Sequence, residues 1–429
     1  MMRVSCSPTA PCPPSVGDQI MSTASITDHL TRVLSLCTPA PPVTLPVTEA
    51  VGCVLATDAH AVLPVPPFSN SAMDGFLVRA SDLADGSDLT LPVTGDVPAG
   101  GEAITPAPGT AVRIMTGAPI TDPHGLVVIP VEDTSAEPGP QDLPETVTIH
   151  SYRGRSHIRP RGDNVDTGDV LARDGDTVDA GLLAGLISAG VREVSVFPTP
   201  AVTVLSSGDE LVDARSAPTT EQIPDSNRPM VAQLLRELGI TCVTELHTGD
   251  DPAEFTAALR RAGEHSDLII TTGGVAAGAF DVVKAVMNTG EMWFGHVDMQ
   301  PGKTQGAGTW GGVPVLCLPG NPVAAYVSFL MFVIPAVSKL RGRDAPATLD
   351  SRPRVTATAR SPFPTAKAKN LIVPVRLTWD ADGAGAAPFT RAGRGSHFVA
   401  SLNGVGGFAL IPPGATGLQP GGQVTVYLT

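Results

Sequence analysis

Acidic side chains recur beside short glycine-containing stretches in the second half of the sequence. Asp209–Glu210 follow Ser-Ser-Gly, Asp250–Asp251 follow Thr-Gly, and Asp281 ends the run that begins at Gly273–Gly274. Carboxylate oxygens suit Mg²⁺, which usually shares its coordination with substrate phosphates. Lys303 adds a positive charge that an anion would need. These residue types predict a phosphate and metal site, although each acid alone could simply cap a helix or face water.

The stretch from residue 267 to residue 287 suggests how backbone groups would hold the same anion. Leu268–Ile270 is short, apolar and β-branched, which predicts a buried strand. Phe280–Met287 carries apolar residues at helical spacing, and Gly273–Gly274 separate the two elements. Backbone N–H groups in a loop of this kind can bind an anion. A turn selected only for packing explains the two glycines equally well.

The elements that must position these loops form an alternating pattern from Ala201 onward. Helices are predicted at 228–238, 252–262, 280–287 and 323–340, and strands precede them at 201–205, 240–246, 268–270 and 313–318. This order predicts a parallel, three-layer α/β domain. Its strand-end loops would meet at one edge, where ligands bind in such sheets. Asn321, between two prolines, belongs to the same edge.

The remaining chain predicts a multidomain α/β plus β protein. Residues 76–158 and 346–429 show short β runs between Gly and Pro turns, which indicate a small inserted β domain and a C-terminal β-barrel or β-sandwich. Ile26–Leu36 is predicted to be a helix with Thr27 or Asp28 near its cap. The expected divisions are a disordered extension at 1–21, an extended N-terminal linker and dimerisation domain at 22–68 and 159–198, the inserted domain at 69–158, the α/β domain at 199–345 and a C-terminal barrel at 346–429.

Composition narrows the classes of protein. The chain has 429 residues, which predicts several domains, and a formal net charge of −14, which argues against nucleic acid or an anionic membrane as partner. No window reaches about 18 uncharged apolar residues, so no transmembrane helix is expected, and no signal peptide is evident. The 6 cysteines are scattered without a metal-binding spacing, so we interpret them as buried or incidental thiols. A cytoplasmic protein is expected.

Two glycine motifs do not fit their contexts. Gly306-x-Gly308-x-x-Gly311 matches a dinucleotide fingerprint but precedes a predicted strand, so we interpret it as a hairpin turn. Gly302–Thr304 resembles the end of a P-loop, but Val297 stands where the first glycine is required.

Several short motifs, taken together and in order, resemble the molybdopterin molybdenumtransferases, the family of MoeA and the gephyrin E domain. The resemblance covers residues 22–429 and rests on Ser71–Phe76, Arg113–Ala118, Ile158–Asp163, Ser207–Leu211, Gly273–Val275, Gln300–Lys303, Leu318–Val323 and Gly395–His397. It implies an elongated homodimer of four-domain subunits. Other cofactor-biosynthesis proteins are further partners that the resemblance allows. It also implies an Mg²⁺-dependent reaction in which adenylylated molybdopterin and molybdate give molybdenum cofactor and AMP.

The resemblance also implies roles for individual residues. Glu210, Asp250 or Asp251, and Asp281 would hold Mg²⁺ against the pyrophosphate. Lys303 and Ser396 would hold molybdate. Asp74 and Thr116 would reach across the dimer to the nucleotide, while Arg159 and Arg161 supply positive charge oriented by Asp163 or Asn164. The expected phosphate- and substrate-binding set also contains Ser206, Ser207, Gly208, Asp225, Asn227, Gly273, Gly274, Lys284, Pro319, Gly320, Asn321 and Pro322.

The chain departs from the family pattern near the expected molybdate pocket. Gln300 stands where the family often has Lys, Ala276 and Ala324 where it has Ser, Asn164 where it has Asp or Glu, and Thr304 where it has Pro. An arginine expected in the last domain has no secure match; the candidates are Lys367, Lys369 and Arg376. Each lost hydroxyl or charge would weaken oxyanion binding by roughly 1–3 kcal/mol. We therefore hypothesise intact pterin and Mg²⁺ binding with a changed oxyanion affinity or identity.

Two other functions compete with the transferase. A molybdopterin adenylyltransferase shares the α/β domain but usually lacks the flanking β domains. A non-catalytic molybdopterin-binding or scaffold protein would tolerate the missing serines, but the retained acidic residues argue against it.

Overall fold

A computed structural model describes residues 23–83, 88–275, 282–288, 291–346, 348–390, 395 and 397–429. The expected extension at 1–21 and the predicted site residues Ala276, Asp281 and Ser396 lie outside this part of the chain. The described chain divides into two compact units, one formed by its residues up to Ala40 and from Thr199 onward and the other by its residues from Pro41 to Pro198.

The first unit is built around a seven-stranded sheet. Its strands, in spatial order, are Thr23–Ala24, Met292–Val297, Thr304–Trp310, Val313–Leu318, Leu268–Thr272, Val202–Ser207 and Val243–Thr248. The last four are mutually parallel, as the alternating pattern predicts.

The prediction of a parallel sheet is wrong for the part of the sheet beyond Val313–Leu318. The strand Thr304–Trp310 runs antiparallel to both of its neighbours. Gly306 and Gly308 therefore lie inside a strand, and the hairpin turn consists of Gly311–Gly312, both with positive φ. A Cβ atom on Gly308 would lie 2.1 Å from the carbonyl oxygen of Glu291. Glycine is needed there because the neighbouring backbone comes so close.

Helices cover both faces of this sheet and make the predicted three layers. One face carries Ile26–Leu36, Asn227–Glu237 and the long helical segment from Pro322 to Leu340. The other face carries Pro252–Gly263 and Val282–Met287. Ser25 caps the first helix and shares a capping box with Asp28.

The long helical segment consists of two α-helices, Pro322–Ser328 and Ile334–Leu340, joined by one turn of π-helix at Phe329–Val333. Pro322–Leu340 is the one helix in the described chain that is long and apolar enough to cross a membrane, with a mean hydropathy of 1.9. Of its most apolar stretch, 83% is buried inside the protein, so the apolar residues form the core of this unit.

The C-terminal part forms a closed five-stranded barrel, one of the two predicted alternatives. Its strands, in order around the barrel, are Asn370–Asp380, Gly383–Pro388, Arg354–Ala359, Gln423–Leu428 and Gly407–Ile411, which pairs back with the first. Met299–Gln300 adds a parallel pairing to Asn370–Leu371. The start of the first barrel strand is thus fixed to the loop that leads into Lys303.

The second unit contains a five-stranded sheet with its own core. Its strands, in order, are Thr146–Ile149, Leu89–Val97, Ala111–Ile114, Gly75–Arg79 and Leu126–Pro130. A second core surrounds the helix Ala180–Ser188, capped by Asp179. Near that helix lies a three-stranded sheet, in the order Val43–Pro46, Glu193–Phe197 and Val54–Leu55. Two short strand pairs complete the unit. They are Ala59–His60 with Val170–Ala172, and Asn70–Ser71 with Ile158–Arg159.

Candidate functional site

A cleft of about 910 Å³ lies in the first unit, at the carboxyl ends of the parallel strands. Strand-end loops after Val202–Ser207, Val243–Thr248, Leu268–Thr272 and Val313–Leu318 all contribute to it. Of the predicted site residues, the cleft brings together Ser207, Gly208, Glu210, Asn227, Asp250, Gly273, Gly274, Lys303, Pro319, Gly320 and Asn321.

Among the described residues, the carboxylates that line this cleft are those of Glu210 and Asp250. Their loops hold each other, because the backbone N–H of Asp250 donates to Asp209 at 3.1 Å and that of Asp209 donates to Asp250 at 3.4 Å. Gly208 leaves room for Glu210, since a Cβ there would lie 2.5 Å from its carboxylate oxygen. Two carboxylates on one cleft form a donor set that suits Mg²⁺. Within the described chain, no group of three or more His, Cys, Asp or Glu residues converges to hold a metal.

Asp251 has a different position. Its Oδ1 accepts hydrogen bonds from the backbone N–H groups of Ala253 and Glu254, which makes it the N-cap of the helix Pro252–Gly263. The residue does not line the cleft. Of the two aspartates left open by the sequence, Asp250 is therefore the one placed to bind a metal.

Ser206 and Asp225 support the cleft from inside the protein. Both are buried, and the hydroxyl of Ser206 donates to Asp225 at 2.6 Å. Arg228 donates to the same carboxylate through Nε at 3.0 Å. The charge of Asp225 is thus matched internally, and neither residue lines the cleft. Asn227 does line it, with its side-chain amide donating to the carbonyl of Gly320 at 2.6 Å.

The turn that carries Lys303 is held by buried groups. Nε2 of Gln305 donates to the carbonyl of Gly302 at 2.7 Å and to the hydroxyl of Ser328 at 2.6 Å. The backbone N–H of Val297 donates to the carbonyl of Lys303 at 2.7 Å. Ser328 ends the helix that begins beside Asn321, so these bonds connect two walls of the cleft.

A second lysine, Lys369, enters the cleft from the barrel. Burial and the nearby charge of Lys303 lower the pKa of Lys369, while Asp298 acts in the opposite direction. Burial followed by the charges of Lys303, Lys369 and Lys284 lowers the pKa of His296. Lys303 and Lys369 are therefore close enough to affect each other's surroundings, and both line the cleft that Glu210 and Asp250 line.

The position of Lys369 indicates which residue could replace the arginine that the family pattern places in the last domain. Lys367 is exposed and does not line the cleft. Arg376 donates to the carbonyls of Asn403, Phe389 and Ser401 and does not line the cleft. Among the three candidates, only Lys369 is placed to meet an anion. Gln300, Thr304 and Ala324, which depart from the family pattern, line the same cleft.

Five of the predicted residues lie in the second unit: Asp74, Thr116, Arg159, Arg161 and Asp163. Asp74 and Thr116 line a cleft of about 800 Å³ in that unit. Oδ1 of Asp74 accepts hydrogen bonds from the backbone N–H of Thr116 at 2.7 Å and from its hydroxyl at 2.8 Å. These two bonds lower the pKa of Asp74 and keep it ionised.

Arg159, Arg161 and Asp163 are exposed on the same unit. Arg161 lies 3.9 Å from Asp166, and its backbone N–H donates to Ser69 at 3.1 Å. Lys284 lies in the first unit, on the helix Val282–Met287, outside the cleft lining, as does Pro322, the first residue of its helix.

Thr272 is a cleft residue that the sequence-based site assignment lacked, and Lys369 is one that it left among three candidates. Thr272 immediately precedes the predicted Gly273–Gly274 loop, and its side-chain direction follows from strand alternation. Lys369 lies on another domain, and no local pattern in the sequence distinguishes it from Lys367.

A strand-end cleft with glycine loops, carboxylates and lysines is typical of α/β proteins that bind phosphorylated ligands. Three family models match this chain. They are described as "MoeA N-terminal region (domain I and II)" over residues 24–190, "Probable molybdopterin binding domain" over 203–339, and "MoeA C-terminal region (domain IV)" over 356–429.

Individual relatives agree with the family models. Molybdopterin molybdenumtransferase 2 of Mycobacterium tuberculosis is 37% identical over 350 residues, which cover 79% of this chain and 85% of the relative. Molybdopterin molybdenumtransferase of Haemophilus influenzae is 37% identical over 298 residues, or 69% and 72% of the two chains. The crystal structure of the molybdopterin biosynthesis MoeA protein from Pyrococcus horikoshii superimposes with a TM-score of 0.74 at 26% identity, covering 95% and 99%. The chain belongs to the molybdopterin molybdenumtransferase (MoeA) family.

Proposed function

We propose that this protein completes molybdenum cofactor biosynthesis: it combines molybdate with adenylylated molybdopterin and releases AMP. The observation that carries the proposal is that Glu210, Asp250, Lys303 and Lys369 line one cleft together with the loop Gly273–Gly274. Such a cleft provides oxygen ligands for a cation and positive charge for a second anion. Catalysis then depends mainly on positioning and charge neutralisation.

Within the cleft, Mg²⁺ would be held by Glu210 and Asp250, with Asp281 as a further ligand. Bound there, Mg²⁺ would neutralise charge on the pyrophosphate of the substrate. The loop Gly273–Gly274 and Ser207 would bind the phosphate of the pterin. Ser206 and Asp225, which are buried together, would support Ser207 rather than touch the substrate.

Molybdate would be held by the positive charges of Lys303 and Lys369. Gln305 supports this role because its two hydrogen bonds fix the turn before Lys303. Lys369 also supplies the cation that the missing arginine would otherwise provide. A changed affinity for the oxyanion remains our prediction from Gln300 and Ala324. Dissociation constants for molybdate and tungstate equal to those of a relative with the usual Lys and Ser would contradict it.

We further propose a cytoplasmic homodimer in which Asp74 and Thr116 of one copy approach the cleft of the other. Support comes from the hydrogen bonds that keep Asp74 ionised at the edge of its own cleft. Arg159 and Arg161, with Asp163 nearby, would add positive charge to the nucleotide side.

The decisive experiment measures AMP release from adenylylated molybdopterin by the purified protein with Mg²⁺, with and without molybdate. We expect release that depends on molybdate and leaves molybdenum bound to the pterin. Lys369→Met should raise the molybdate concentration needed for half-maximal release by about tenfold, since it removes a charged partner of the oxyanion. Lys367→Met is the matched control, because its side chain is exposed outside the cleft. Tight pterin binding without AMP release would identify a binding protein instead.

A further inference from the structure

Asp298 lies where several segments of the first unit meet. Its backbone N–H donates to the carbonyl of Ala24 at 2.9 Å, which fixes it to the short strand Thr23–Ala24. The preceding residue, Val297, ends its own strand, and the backbone N–H of Val297 donates to the carbonyl of Lys303 at 2.7 Å. Asp298 is therefore held in place one residue from a contact with the turn that carries Lys303.

The side chain of Asn370 connects the barrel to Asp298. Its Nδ2 donates to the backbone carbonyl of Asp298 at 3.1 Å and to the carboxylate Oδ2 of the same residue at 3.2 Å. A side-chain amide has two N–H donors, which is enough for both contacts. The second contact has a charged acceptor and is the stronger kind of hydrogen bond. Asp298 thus fixes the start of the barrel strand, which begins one residue after Lys369.

The two lysines of the cleft need such a restraint, because like charges repel each other. Burial and then the charge of Lys303 lower the pKa of Lys369, and the carboxylate of Asp298 acts against both. His296 is also close to the two lysines, and burial and their charges lower its pKa. Among the described groups that act on Lys369, Asp298 is the one whose charge favours the protonated lysine.

We infer that Asp298 is a positioning residue that holds Lys369 of the barrel close to Lys303, so that both lysines bind one oxyanion. The inference rests on the proposed function for the identity of that oxyanion as molybdate. Asp298 does not line the cleft and acts through the lysines. Its carboxylate alone would repel an anion, so its hydrogen bonds and its charge have opposite effects on anion binding.

These opposite effects make Asp298→Ala a decisive variant. We expect it to bind molybdate about fivefold more weakly, because the barrel strand loses its anchor beside Lys369, although a negative charge has been removed. Isothermal titration with molybdate alone is the measurement. A carboxylate that only repels the anion would give tighter binding in Asp298→Ala, and unchanged or tighter binding would overturn the inference.

Asp382→Ala is the matched control for the loss of a negative charge. Asp382 is exposed in the turn between the barrel strands Asn370–Asp380 and Gly383–Pro388, and it does not line the cleft. The control variant should bind molybdate within about twofold of the wild type. An equal loss of affinity in Asp298→Ala and Asp382→Ala would overturn the inference, because any change in the barrel would then have the same effect.

Asp298→Asn provides the rescue. Its side-chain oxygen still accepts the hydrogen bond from Asn370, while the negative charge is absent. At neutral pH, Asp298→Asn should bind molybdate at least as tightly as the wild type. A loss equal to that of Asp298→Ala would overturn the role of the hydrogen bond.

The pH dependence of molybdate binding gives a readout that a purely structural role would not change. Without the carboxylate, Lys369 loses its proton at a lower pH, so Asp298→Asn should lose molybdate binding at a lower pH than the wild type. The same alkaline limit in both proteins would overturn the inference, because Asp298 would then not act on Lys369.

Binding of molybdate alone keeps this inference separate from the transferase. If the wild type releases no AMP but Asp298→Ala weakens molybdate binding, the positioning role stands and the transferase proposal fails. If the wild type releases AMP and Asp298→Ala binds molybdate as well as the wild type, the transferase stands and the positioning role fails. A wild type that binds no molybdate would overturn the inference together with the two-lysine site.

Discussion

Asp250 and Asp251 are neighbours in one loop, but their carboxylates have different partners. Asp250 faces the cleft, while Asp251 caps the helix Pro252–Gly263. We expect Asp250→Ala to raise the Mg²⁺ concentration needed for AMP release at least tenfold while changing stability little. Asp251→Ala should lower the free energy of unfolding by about 1 kcal/mol, the usual value of an N-cap. It should leave the Mg²⁺ requirement unchanged.

Metal titrations of AMP release and denaturant unfolding of both variants check this pair. A metal requirement that changes in Asp251→Ala but not in Asp250→Ala would reverse the assignment. Glu210→Ala belongs to the same series, and full activity in that variant would remove its role as a metal ligand.

At the residue scale, the sequence located the loops better than it located individual contacts. Residues at or just after the ends of strands, such as Ser207, Asp250 and Gly273, do meet in one cleft, because parallel strands place their carboxyl ends together. Ser206 and Asp225 were assigned to the substrate by resemblance, but they contact each other in the interior. Burial of a polar pair depends on tertiary packing, which neither spacing nor residue type reveals.

The first helix carries a buried histidine that should make folding sensitive to acid. His29 is 1% exposed, its ring lies 4.5 Å from that of Phe332, and its Nδ1 has no partner among the described residues. Burial, with a smaller contribution from the charge of Arg32, lowers the pKa of His29 to about 3. The unfolded chain then binds a proton below the ordinary pKa of 6.5 that the folded chain does not bind.

The sign of the effect follows from that difference. Because the unfolded state is the one that gains the proton, the free energy of unfolding falls as pH drops from 6.5 towards about 3. The contribution of this one group is about 1.4 kcal/mol per pH unit within that window. His29→Phe fills a similar volume and should remove this slope from denaturant unfolding measured at several pH values. An unchanged slope in that variant would contradict the assignment.

The elements themselves followed the sequence pattern where apolar runs were long. The strand Leu268–Thr272 and the helix Pro252–Gly263 appear where apolar residues and a proline predicted them. The strand Thr304–Trp310 was missed because its glycines resemble a loop. Those glycines result from close backbone contact across the sheet, which is a property of the fold and leaves no local periodicity.

At the scale of the whole first unit, Arg352 joins the barrel to the α/β domain. Its guanidinium donates to the carbonyls of Leu330 and Met331 in the π-turn at 2.7 and 2.5 Å, and it lies over the ring of Phe408 from the barrel. Burial lowers the pKa of Arg352 to about 10. Arg352→Met leaves those carbonyls without this donor and should lower the free energy of unfolding by about 2 kcal/mol.

Arg354→Met is the matched control for Arg352→Met. Arg354 is exposed and pairs with Asp350 at the surface, so its loss should change stability by less than about 0.5 kcal/mol. Urea unfolding of both variants is the measurement. Equal stability of the two variants would show that the Arg352 contacts do not join the domains energetically.

The proposed dimer makes a further prediction at this scale. If Asp74 of one copy serves the cleft that contains Lys303 of the other, neither Asp74→Ala nor Lys303→Ala should release AMP alone. A mixed dimer of the two variants contains one intact site. Random mixing of equal amounts should therefore restore about a quarter of the wild-type sites, because half of the dimers are mixed. No recovery, although mixed dimers form, would contradict the shared site.

The route of the chain between the two units has a consequence for protein engineering. The chain leaves the first unit after Ala40 and returns to it at Thr199. Just inside the second unit, Val43 pairs with Val196 on antiparallel strands, so the departing and returning segments run side by side. The second unit is therefore a cassette with adjacent ends, the arrangement in which domain insertion is tolerated. A short linker between residues 40 and 199 should therefore close the first unit on itself.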